Sequence, residues 1–90
     1  MSNSFVHDPD AVLPYGIDWS SWLADGDSID TSTWTVPAGL AKGGEDLTGG
    51  QATVWLSGGT AGESYLVTNH VVTTDGMEDD RSIRIFVRQR

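Results

Sequence analysis

An all-β domain is the fold this chain predicts, on three observations. Between Thr53 and Val87 lie three segments rich in Val, Ile, Thr and aromatic residues, at 53–57, 65–74 and 82–87. Their apolar residues recur at period two, which places them on one face of a pleated strand. Gly58-Gly59, Asp75-Gly76 and the acidic run Met77-Glu78-Asp79-Asp80 separate them as turns do. Segments spaced so closely are expected to form a meander in which each strand pairs with its sequence neighbour, with the upstream residues covering one face.

The size of the chain limits what else it holds. Ninety residues make one domain, and a chain of this size buries only about 60 to 65% of its unfolded surface. With no cysteine, no disulfide staples the fold, so packing must stabilise it, and four Trp, two Tyr and two Phe are available for that. Net charge is −8, from 13 acidic and five basic residues. Three of the bases, Arg84, Arg88 and Arg90, fall at the C-terminal end. This balance speaks against nucleic acid and anionic membrane as partners; it suits a solvated acidic surface or a basic protein partner. The N-terminus lacks a basic leader, and no apolar run approaches the ~18 residues that cross a bilayer, so a soluble protein without an address is expected.

Residues 1–14 carry Pro9 and Pro14 and no strong period. Proline holds itself and its predecessor extended, so this stretch reads as an extended arm, frayed at its end, before a domain spanning 15–90. Tyr15, Ile17 and Trp19 alternate as a first strand, ending in a short turn over Ser20 to Leu23 that Asp18 can cap. Asp25-Gly26-Asp27 turns the chain into a second strand, 28–36, with Trp34 and Val36 on one face and Pro37 as its stop. Five glycines between Ala38 and Gln51 argue against helix and read as a loop, with one short strand near Leu47.

In the third strand Val54 and Leu56 share a face opposite Trp55, and its apolar character on both sides places it centrally in a sandwich. In the longest strand Tyr65, Val67, Asn69, Val71 and Thr73 form the core face. Tyr65, at the head of this strand after a Gly-rich turn, resembles the tyrosine corner of immunoglobulin-like sandwiches, whose phenol bonds back to the preceding loop. In the last strand Ile83, Ile85 and Val87 face inward while Arg84, Phe86 and Arg88 face out, giving the outer face a small amphipathic stripe.

No catalytic, cofactor or metal site emerges. The segment from Gly58 to Ser64 lacks the spacing of a phosphate loop and has Glu63 where its lysine belongs. Asp25, Asp27 and Asp30 do not keep the order of a calcium loop, because Ile29 takes a ligand position. Glu78-Asp79-Asp80 lacks the distant glutamate, so both read as solvated turns. His7 and His70 have no partner at metal or triad spacing, and Ser57 has no nucleophile elbow. A stacked tryptophan can bind sugar, and with Trp19, Trp34 and Trp55 assigned to the core, Trp22 is left as the exposed platform for a carbohydrate-binding module.

Certain longer motifs are more specific. Asp18-Trp19-Ser20, Trp22-Leu23, Gly26-Asp27-Ser28-Ile29 and Ser32-Thr33-Trp34-Thr35-Val36 are followed by Val54-Trp55-Leu56-Ser57-Gly58-Gly59-Thr60-Ala61-Gly62-Glu63-Ser64-Tyr65 and Asp79-Asp80-Arg81-Ser82-Ile83. Over 15–88 this pattern resembles small tailed-phage structural proteins of the fibre-tail adaptor or head-associated kind. The resemblance implies an immunoglobulin-like β-sandwich of about seven short strands. It also implies a non-enzymatic virion protein without a cofactor, an adaptor or capsid-decoration module present in multiple copies and docking on capsid, connector or tail subunits. Phe5, Val6, Arg84, Phe86 and Arg88 are the partner-binding residues expected for such a module, and a small carbohydrate-binding sandwich is the alternative. Pro14, the glycines at Gly43-Gly44 and the strong acidity depart from the family pattern.

Overall fold

Apolar alternation along the chain becomes seven strands, and no helix, among the residues described by the computed structural model, 3–88. In chain order they are β1 Asn3–His7, β2 Val12–Asp18, β3 Ile29–Thr35, β4 Leu40–Thr48, β5 Gln51–Gly58, β6 Ser64–Thr73 and β7 Glu78–Val87. Four strands form one sheet in the order β1-β7-β6-β3, and three form the other in the order β2-β5-β4. Inward faces of the two sheets enclose the core of an immunoglobulin-like β-sandwich measuring 43 × 23 × 19 Å.

Only one joint of the expected meander is present. β6 and β7 pair antiparallel, but β5 belongs to the other sheet, between β2 and β4. The chain crosses between sheets through Gly58 and Gly59, at φ 80° and 95°. A Cβ on Gly59 would stand 2.6 Å from Val87 Cγ2, so the crossing fits only a residue without a side chain.

The stretch 38–51 differs from the expected loop in the same way. Leu40–Thr48 is a nine-residue strand paired with β5. Gly49 and Gly50, at φ 58° and 84°, form the tight turn between them, because a type I′ hairpin needs two residues at positive φ. A register shift between Lys42 and Gly44 absorbs Gly43 as a bulge. These glycines rule out helix, but they shape a hairpin rather than prevent one.

Residues expected as a frayed arm lie in the sheets. Asn3–His7 runs parallel to β7, and residues 12–14 open β2, so the boundary expected between 14 and 15 falls inside a strand. Met1 and Ser2, like Gln89 and Arg90, lie outside the described residues. Phe5 and His7 alternate with Val6 and give β1 an inward face. Phe5 packs edge-on to Tyr15 at 5.1 Å, and the buried His7 places Nδ1 2.7 Å from the Tyr15 hydroxyl. These contacts anchor the segment that proline alone suggested was loose.

The core faces of β6 and β7 are those the alternation predicts: Val67, Asn69, Val71 and Thr73 are buried, as are Ile83, Ile85 and Val87. Asn69 is satisfied there. Its Oδ1 accepts from Trp19 Nε1 at 2.9 Å across the sandwich, and its Nδ2 donates to Ser32 Oγ and the Thr33 carbonyl. Tyr65 forms the expected corner, its hydroxyl accepting from the Thr60 N–H at 3.0 Å. Its ring lies against Gly39, at φ 105°, where a Cβ would meet Cε1 at 2.8 Å.

Two tryptophans exchange the places assigned to them. Trp19 and Trp34 are buried, but Trp55 is 36% exposed because Val54 and Leu56 take the inward face of β5. Trp22 is half-buried, stacked edge-on to Trp19 at 5.0 Å, and so is not an open sugar platform.

Candidate docking face

The outer face of the four-stranded sheet is built from rows set by register. Val6 on β1, Phe86 on β7 and Ser64 on β6 share one row, and Ser4, Arg84 and Leu66 share the next. Inward Ile83, Ile85 and Val87 force Arg84, Phe86 and Arg88 outward. Within these rows Val6 is 42% exposed, Leu66 46% and Phe86 39%. Arg88 follows them at the end of β7, its N–H donating to the His7 carbonyl at 3.0 Å.

The chemistry changes along the sheet. Next comes a neutral row in which the Thr68 and Ser82 hydroxyls lie 2.9 Å apart. Beyond it His70 faces Asp80, to which its Nδ1 is bonded, while its Nε2 is 3.0 Å from Glu78 Oε1. Bonding to Asp80, then to Glu78, raises the His70 pKa above its ordinary value. One end of the face is therefore apolar and basic, and the other acidic.

Few cations remain for a partner. Lys42 is paired with Glu45 at 2.6 Å, and the Arg81 guanidinium sits 4.4 Å over the Trp19 ring while donating to the Asp18 carbonyl. Among the described residues Arg84 and Arg88 carry no ion pair, and both border the Val6, Leu66 and Phe86 stripe. Such a surface can bury apolar area at its centre and pair two guanidinium groups with carboxylates at its rim.

Of the five residues expected to meet a partner, Val6, Arg84, Phe86 and Arg88 share this face, while Phe5 points into the sandwich. Leu66 completes the stripe; its parity, opposite to that of Val67, was the signal for it. Trp55 on the opposite sheet is betrayed by the same rule, since Val54 and Leu56 cannot face inward with it. It sits in a row with Pro14 and Gly44.

Comparison with known proteins adds to this geometry. A family described as "Podophage GP4 fiber-tail adaptor protein gp77" matches residues 7–86. The chain belongs to that family. Proteins of the gp77 family are virion components, and their fiber-tail adaptor description makes this chain a phage structural protein. No curated protein matches it. Among solved structures, the PKD domain from KIAA 1837 protein, a solution structure, superposes with a TM-score of 0.58 at 20% identity. That match covers 99% of this chain and 81% of the other, and it shows the immunoglobulin-like sandwich fold.

Proposed function

We propose that this gp77-family protein is a non-enzymatic adaptor that docks on a capsid, connector or tail subunit through the outer face of its four-stranded sheet. Val6, Leu66 and Phe86 supply the buried centre of the contact, and Arg84 and Arg88 its charged rim. The observation carrying this reading is the position of the two unpaired arginines. In a chain of net charge −8 they border an exposed apolar stripe, which suits a partner surface that is apolar with carboxylates around it. Multiple copies on one particle let a modest contact per copy hold firmly, because each added site acts at high effective concentration.

Particles assembled with a Leu66→Ser, Phe86→Ser chain test the proposal. Both side chains are exposed, so the variant keeps its cooperative unfolding transition by circular dichroism. Its copy number in particles assembled with the chain limiting, where the docking sites are far from saturated, falls about tenfold by quantitative mass spectrometry, which corresponds there to about 1.4 kcal/mol of docking energy. Incorporation at the wild-type level would refute this docking face.

A further inference from the structure

A second surface lies at the opposite end of the molecule from Arg88. A cavity of roughly 350 Å³ opens there between the start of β3 and the end of β4, lined by Leu23, Asp27, Ser28, Ile29, Leu47 and the Gly49-Gly50 turn. Three aliphatic side chains share its lining with the polar Asp27 and Ser28, and they are incompletely covered: Leu23 and Ile29 are half-buried and Leu47 is exposed. Glycine at the hairpin turn leaves the Leu23 side open, since a Cβ on Gly50 would stand 3.5 Å from Leu23 Cδ1.

The charged side chain lining this cleft is a carboxylate, Asp27. Asp25 and Asp30, both exposed, flank it in the chain, while the nearby Arg81 is already held over the Trp19 ring and on the Asp18 carbonyl. Asp27 is fixed in place, its Oδ1 accepting from the Ser28 N–H, the Thr74 hydroxyl and the Asp75 N–H. The Thr74 hydroxyl above all, with these backbone donors, holds its carboxyl below the usual range, so it is anionic at neutral pH. Two loops are thereby tied together at this tip, the β2–β3 connection and the β6–β7 turn, and the Trp19 N–H, donating to the Gly50 carbonyl at 2.8 Å, joins the β4–β5 turn to the first of them.

We infer that this cleft receives an extended segment of a second virion subunit, one presenting lysine or arginine side chains on an aliphatic frame. Leu23, Ile29 and Leu47 hold the aliphatic part, and the surrounding aspartates attract the cationic heads, which keep their stems on the apolar walls. Both walls end in edge strands, β3 and β4, so an extended segment also finds backbone groups to pair with. The inference goes beyond the docking face proposed above, because it gives the adaptor two chemically opposite surfaces at its two ends.

The test is a nuclear magnetic resonance titration of the labelled full chain with a capped hexapeptide of alternating leucine and lysine. Shifts confined to Leu23, Asp27, Ile29, Leu47, Gly49 and Gly50 are expected, and high salt weakens them. A Leu47→Lys chain, changed at an exposed position, binds about tenfold more weakly. A Phe86→Ser chain binds as the wild type does, which separates this cleft from the docking face. Equal binding of an alternating leucine and glutamate peptide, or shifts scattered over the whole surface, would overturn the inference. So would the same shifts on raising protein concentration without peptide, which would assign the cleft to a second copy of this chain.

Discussion

The indole N–H of Trp19 reaches across the sandwich to Asn69 Oδ1 at 2.9 Å, a polar bond between two side chains with no exposed surface. Asn69 in turn donates to Ser32 and Thr33 on the neighbouring strand β3, so one amide locks the residue after β2 to two strands of the opposite sheet. Replacing Asn69 by leucine leaves the buried indole donor unpaired and costs about 1–3 kcal/mol. Urea unfolding followed by circular dichroism measures this. The Trp19→Phe, Asn69→Leu double variant is less destabilised than the sum of the singles, and strict additivity would count against the coupling.

Glycine positions divide by what surrounds them. Gly59 has φ 95° and Val87 at 2.6 Å from its missing Cβ, whereas Gly26 has φ 80° with nothing within 4 Å. Gly26→Ala meets only backbone strain, about 1 kcal/mol, while Gly59→Ala adds overpacking of about 1–3 kcal/mol. Thermal unfolding of the two variants should rank them in that order.

At the β4–β5 turn a substitution should help. Gly49 holds φ 58° with open space around its missing Cβ, which is the first position of an asparagine-glycine type I′ turn. Gly49→Asn lowers the entropy of the unfolded chain and stabilises the protein by about 0.4–1 kcal/mol. A fall in the urea midpoint would contradict the turn assignment.

The two histidines oppose each other in their response to pH. Burial lowers the His7 pKa below 6.5, with Asp8 partly offsetting it. The unfolded chain therefore takes up that proton first, and stability falls as pH drops from 6.5 towards the lowered folded value. His70 has a folded pKa raised by its bonds to Asp80 and Glu78, so its contribution is complete below 6.5 and is lost as pH rises through the raised value. Ring-proton titration by magnetic resonance should place His70 above 6.5 and His7 below it. The stability difference between wild type and His70→Gln then shrinks with rising pH, and two midpoints at the ordinary value would contradict both environments.

Much of this was legible in the residues because strand parity is a local rule. Ile83, Ile85 and Val87 fix one face of β7, and Arg84, Phe86 and Arg88 then follow without knowledge of any neighbour. What failed was long-range. Nothing within Gln51 to Ser57 says that its strand joins the sheet opposite β6, since that depends on where Gly58 and Gly59 send the chain. The glycines of 38–51 have one composition in a loop and in a bulged hairpin, and pairing with β5 decides between them. Phe5 looks like a partner contact and His7 looks idle until Tyr15 is seen beneath them. The docking stripe was therefore readable from β7 alone, with Val6 supplied by parallel pairing and Leu66 by antiparallel pairing. The cleft was not readable, because its walls come from two separate parts of the chain, the approach to β3 and the β4–β5 hairpin.

The most direct test of the docking face is a reconstruction of the intact particle by electron cryomicroscopy, at a resolution that places this chain's side chains. Val6, Leu66 and Phe86 should be covered by another virion subunit, with Arg84 and Arg88 facing its carboxylates. A map in which that sheet face looks into solvent, while the chain is held by the row of Pro14, Trp55 and Gly44, would contradict the account.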